Sequence, residues 1–239
     1  MEVLLLITAL IAGGLLSYFI KAKFKFVYNL ARVYVFMAML VSVSTWLYYC
    51  GAINNAFIAK ALQVIAGCFG SIGHLISGYL LLNIFLSLTS ADADEGQAGK
   101  IVGLTLWSLS ILTGFAFIAE SFWKDGNMGK MCCFFTTSGY ASWFLYFIMA
   151  AEALGGLGIL LHFKLKTGPV AAAGLMLIMI GALYTHNHNH DPLSASYGAI
   201  NAFITLGIMQ VTYYFEQVID PKGTDFTTTG NQLQSKDAV

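Results

Sequence analysis

The chain has 239 residues, 58% of them hydrophobic and only 10% charged, where an ordinary soluble domain carries ~25% charge. Its 12 basic and 12 acidic residues cancel, so no global field draws in nucleic acid. A soluble globular domain and a nucleic-acid-binding protein are both excluded.

The charges leave uncharged runs at 3–20, 33–59, 61–91, 101–119, 131–151, 167–190 and 192–215, and crossing a bilayer takes roughly 20 apolar residues. The runs are continuous, without the alternation of a membrane barrel, and a helix satisfies its own backbone groups in lipid. The chain therefore reads as all-α, a polytopic membrane helical bundle. Seven spans are expected, at about 2–21, 28–50, 56–89, 100–123, 139–163, 168–186 and 193–217.

The first run is preceded by no basic residue and followed by Lys21, Lys23 and Lys25. That is the reverse of a secretory signal peptide, so a retained helix is expected. If it runs outside to inside, Lys21, Lys23, Lys25, Arg32, Lys100, Lys164, Lys166, Lys222 and Lys236 lie inside, and only Lys60, Lys124 and Lys130 outside. The positive-inside rule then sets the amino terminus outside and the carboxyl terminus in the cytoplasm.

The third run places His74 at its centre among Gly67, Gly70, Gly73 and Gly78. Small residues at this spacing let helices approach closely, and the same spacing can open room for a flat ring. His74 reads more readily as a hydrogen-bonded packing residue than as a haem ligand. It remains a candidate cofactor contact, together with Tyr146 and Tyr184 in later runs. The acidic loop 91–99 separates a three-helix module, 1–90, from a four-helix unit, 100–217; a polar tail follows from 218 to 239.

Glu120 lies near the outer end of the fourth expected span, 100–123, four residues before Lys124, a spacing that puts both on one helix face. Glu152 sits in the middle of the fifth expected span, 139–163. A carboxylate at that depth must be protonated, hydrogen-bonded or turned to an internal polar cavity, and it is the leading candidate for a proton-relay or quinone-contact group, with Glu120 second. Of the cysteines, Cys50, Cys132 and Cys133 fall toward the outer side and Cys68 within the membrane. A link from Cys50 to Cys132 or Cys133 comes first in expectation, and free thiols second. The sixth run ends in YTHNHNHDP, where His186, His188, His190 and Asp191 have spacings that suit a transition metal and equally an ordinary helix end before Pro192.

Three stretches carry a resemblance: GFAFIAESFWK at the end of the fourth helix, FFTTSGYASWFLYFIMAAEALGGLGILL through the fifth, and GALYTHNHNHDP at the end of the sixth. From about 101 to 216 the chain resembles the DoxX and DoxX-like family of small bacterial membrane proteins. The resemblance implies an inner-membrane four-helix bundle, associated in some members with quinone-linked sulfur or thiol oxidation, and in distant eukaryotic relatives with assembling other membrane proteins. The function expected is that of a subunit in a quinone- or thiol-linked membrane redox complex, with lipid and a membrane or periplasmic redox protein as partners. The alternative is a non-enzymatic scaffold or assembly factor. Quinone and transition metal are the two cofactor classes these residues admit.

Overall fold

The computed structural model describes residues 2–20, 23–49, 56–89 and 95–219. Among them are nine α-helices and no strand: α1 (Glu2–Phe19), α2 (Phe24–Tyr49), α3 (Ala56–Thr89), α4 (Glu95–Gly126), α5 (Met128–Thr137), α6 (Ser142–Leu160), α7 (His162–Leu165), α8 (Gly168–His188) and α9 (Tyr197–Ile219). Cys50, the start of the 91–99 loop and the tail from Asp220 lie outside the described residues, as does the side chain of Cys68.

Each of the seven expected spans is a long helix, and five of these among the described residues are long and apolar enough to cross a membrane: α2, α3, α4, α6 and α8. The apolar stretch of α1 is shorter. Helix α9 carries Asn201, Gln210 and Glu216 along its length, and its buried face packs on α4 and α8. Residues 95–99, expected in a loop, already belong to α4. Helix α5 was not expected at all; it is too short to span and buries none of its residues.

The breaks have local causes. Gly139 takes φ +84 in the turn from α5 to α6, a conformation open to glycine at little cost. Pro169 sits in the first turn of α8, where its missing N–H has no helical partner to lose. At the other end of α8, His190 adopts left-handed φ 57, and the backbone turns through Pro192 into a short 3₁₀ segment, Leu193–Ser196.

Helix α4 is central, packing against α2, α3, α6 and α9. One apolar core runs through Tyr34 of α2, Leu80 of α3, Leu106 of α4, Leu175 of α8 and Met209 of α9. The first three helices therefore pack directly on the later ones. Helices α1 and α3 cross at two glycines, Gly13 against the Leu75 carbonyl and Gly78 against that of Leu10, where close backbone approach takes the place of side-chain interdigitation.

Candidate functional site: a bundle cavity beside a buried ion pair

Helices α4 and α6 meet at Gly114 and Gly156. A Cβ on Gly156 would lie 2.7 Å from the Gly114 carbonyl oxygen, and one on Gly114 would lie 2.6 Å from Leu160 Cγ. Gly155 and Gly158 turn instead toward α8, against Leu175 and Ala171. The glycines of the EALGGLG run thus divide between two neighbouring helices. Near the close crossing, Ser121 Oγ donates to the Met149 carbonyl at 3.0 Å.

That approach sets Glu152, one turn from Gly156, within reach of Lys124, whose Nζ donates to Glu152 Oε2 at 2.5 Å. Glu152 is only 2% exposed, and it is the one carboxylate buried to that degree among the described residues. Lys124 was expected to pair with Glu120 along its own helix; that contact exists at 3.6 Å, but the shorter bond goes across to α6. The reason is burial: Glu120 keeps 44% of its side chain exposed, whereas Glu152 has lost its water and needs the ammonium.

The pair borders a cavity of about 1200 Å³ between α2, α3, α4, α6, α8 and α9. Its walls are mostly apolar and aromatic, including Phe134 and Phe135 of α5 and Phe144 and Phe147 of α6. Its polar lining includes Glu120, Lys124, Glu152, Tyr140 and His186, and also His74, Thr113, Asn201 and Thr205. Thr205 spends its hydroxyl proton on the Asn201 carbonyl at 2.9 Å. Its 3.4 Å contact with His74 therefore has His74 Nε2–H donating to Thr205 Oγ1. His74, from the first module, thus reaches the same space as Glu120, Glu152 and His186.

Of the other nominated residues, Tyr146, Tyr184, His188, His190 and Asp191 do not line it. Tyr146 and Tyr184 are exposed on outer helix faces, and Tyr184 stacks on His188 at 6.0 Å. His186 is bonded through Nδ1 to Asp191 Oδ2 at 2.7 Å, while His190 occupies the left-handed turn. Among the described residues no three His, Cys, Asp or Glu side chains converge as a metal cluster. Cys132 and Cys133 are free thiols on α5.

A second polar cluster, at the opposite end of the bundle, escaped the sequence reading. His162 Nδ1 accepts the Gly168 N–H at 3.2 Å, which leaves Nε2–H to donate to Glu216 Oε2 at 2.8 Å. Lys166 Nζ donates to Glu216 Oε1 at 3.0 Å. Tyr213 closes over the His162 ring at 4.5 Å. The cluster fastens the α6–α8 connection to α9. HFKLK reads only as a basic helix end, and Glu216 is distant in the chain; the joint presence of His, Lys and Glu at one end of the bundle was the available signal. A Cβ on Gly168 would lie 2.7 Å from His162 Nδ1 and 2.5 Å from Tyr213 Cζ. Gly168→Ala is expected to cost about 1–3 kcal/mol by overpacking, read as a lower thermal midpoint in detergent; an unchanged midpoint would show that this fastening is soft.

No curated protein and no solved structure matches the chain, but the family model described as the DoxX-like family matches residues 108–209. The matched segment holds Glu120, Lys124, Glu152, Thr113, Asn201 and Thr205, and leaves His74 outside. By helix length and composition this is a multi-helical, multi-pass membrane protein, and its residues 108–209, from within α4 to within α9, match the DoxX-like family model.

Proposed function

We propose that this protein is the quinone-holding subunit of a membrane redox complex, set in a bacterial inner membrane with its amino terminus outside and its carboxyl terminus in the cytoplasm. The observation that carries the reading is the cavity: about 1200 Å³, walled by apolar and aromatic side chains, with a few convergent polar groups. That is the usual make-up of a small-molecule site. The chain's own groups suit a quinone. Thr113 Oγ1 and Asn201 Oδ1 are buried without a hydrogen-bond partner, and such atoms call for a polar ligand atom. The aromatic side chains of α5 and α6 receive the ring, and Lys124, Glu120 and Glu152 hold a proton store on the cavity's wall. A bound quinone supplies two-electron, two-proton exchange with a partner protein.

Extraction of the protein purified in native-lipid nanodiscs tests this. Organic solvent is expected to release quinone, identified by its absorbance before and after borohydride reduction. Gly181 lines the cavity, and a Cβ there would meet nothing within 4 Å. Gly181→Leu therefore fills the cavity instead of straining the fold, and is expected to lower bound quinone about tenfold at an unchanged thermal midpoint. Wild-type protein that releases no quinone and binds none when supplied would leave the scaffold reading. One observation favours that reading already: Glu152 Oε2 is bonded by Lys124, as in a packing pair.

A further inference from the structure

Helix α5 walls the cavity while burying none of its own residues. Met131, Phe134 and Phe135 fall at i, i+3 and i+4, one face of the helix, and all three line the cavity. Lys130, Cys133 and Thr137 are exposed. An apolar face turned to a cavity has few atoms to pack on, so little holds α5 in place. Its joints are short as well: Asn127 alone separates it from α4, with no side-chain cap on its first turn, and Gly139 at φ +84 leads on to α6. Phe135 rests on Tyr140 and Phe144, ring centroids 5.9 and 6.2 Å away. Against α8, α5 has one ring contact, Phe134 to His186 at 5.5 Å, and one hydrogen bond just past its end. There Asn189 bonds Ser138 Oγ at 2.7 Å. The Ser138 hydroxyl proton goes to the Phe134 carbonyl at 2.7 Å, so its oxygen only accepts from Asn189, which turns Nδ2–H toward it. The start of α6 is tied to α8 separately, by the Tyr140 hydroxyl at 2.8 Å from Thr185 Oγ1. Helix α5 can therefore leave α8 while α6 stays.

We propose that α5 is the gate of the cavity, latched by the Asn189–Ser138 hydrogen bond, and that a flat apolar molecule enters and leaves beneath it. The proposal rests on the quinone reading above and adds the route and its control. The latch lies outside the cavity lining, since neither Ser138 nor Asn189 belongs to it. It therefore holds α5 shut in the empty and in the occupied protein alike. Such a latch slows entry and release by the same factor and leaves the affinity unchanged. A residue that touches the ligand, or one that only supports the wall, changes the affinity instead.

The test is stopped-flow binding of a decyl-substituted benzoquinone to the full-length protein in nanodiscs, read by quenching of tryptophan fluorescence, with Trp123 in the cavity wall. Asn189→Leu is expected to raise the association and dissociation rates by about fivefold each, the weight of one neutral hydrogen bond, at an unchanged Kd. Thr137→Val, one residue from the latch, removes a hydroxyl that bonds the Cys133 carbonyl of its own helix at 2.8 Å, and is expected to change neither rate. Rates left alone by Asn189→Leu, faster release with weaker affinity, or equal acceleration by Thr137→Val would each overturn the latch. A second measurement needs no ligand. With Cys132→Ser and Cys133→Ser in place, Phe135→Cys puts a thiol on the cavity face of α5, and its labelling by a charged maleimide follows the open population. Adding Asn189→Leu is expected to speed that labelling about fivefold; an unchanged rate would overturn the gate. Faster labelling in a protein that benzoquinone never quenches would overturn the quinone reading and leave the gate standing.

Discussion

Lys124→Met is expected to destabilise the protein by about 3–5 kcal/mol, the usual consequence of removing one partner from a buried ion pair. Glu152 lies 2.5 Å from the ammonium and is almost wholly buried, so water cannot replace the lost charge. Glu120 does not share this dependence, because it is 44% exposed and 3.6 Å away. The double variant Lys124→Met with Glu152→Leu is expected to recover most of the loss, since two apolar side chains need no counter-charge. Thermal midpoints in one detergent, measured for both single variants and the double, give the coupling directly. A Lys124→Met protein as stable as the wild type would mean that the pair does not hold α4 to α6.

Gly156→Ala carries the second large effect. Its Cβ would sit 2.7 Å from the Gly114 carbonyl oxygen and 3.2 Å from Phe117 Cβ. Backbone has no rotamer to give, so α4 and α6 must separate, at about 1–3 kcal/mol. Gly174→Ala, in which the added carbon meets nothing within 4 Å, is the matched control, expected to be neutral or stabilising by about 0.4–1 kcal/mol through the unfolded chain. Equal effects at the two positions would remove the close crossing as the cause. The crossing also positions the ion pair, so Gly156→Ala is expected to weaken the Lys124–Glu152 coupling measured in the first experiment.

Glu152 shows how far a linear reading reaches. Its depth could be read from a long run without another charge, since charge in lipid is costly and therefore rare. The partner could not, because it lies 28 residues away on another helix and nothing in sequence spacing records a crossing between helices. The helix expected at 56–89 coincides with α3, which takes in Lys60 near its start and then follows a long apolar run. Helix α5 was missed because MGKMCCFFTT is neither long enough nor uniform enough to register against the runs on either side. The DoxX-like resemblance, placed at 101–216, holds over 108–209.

Scarcity of charge, by itself, determined the class of this protein: continuous apolar runs must become helices, because lipid offers backbone groups no other partner. It also determined that the few polar residues left inside those runs would matter. Which of them act together was decided only by the tertiary structure. His74, Thr113, Glu152 and Asn201 stand on four different helices and share one cavity, while Tyr146, Tyr184 and His188 from the same stretches face away. A sequence records the period of a helix, but not which neighbour each face will meet. That choice belongs to packing, and in this bundle it is made at the glycines where the backbones touch.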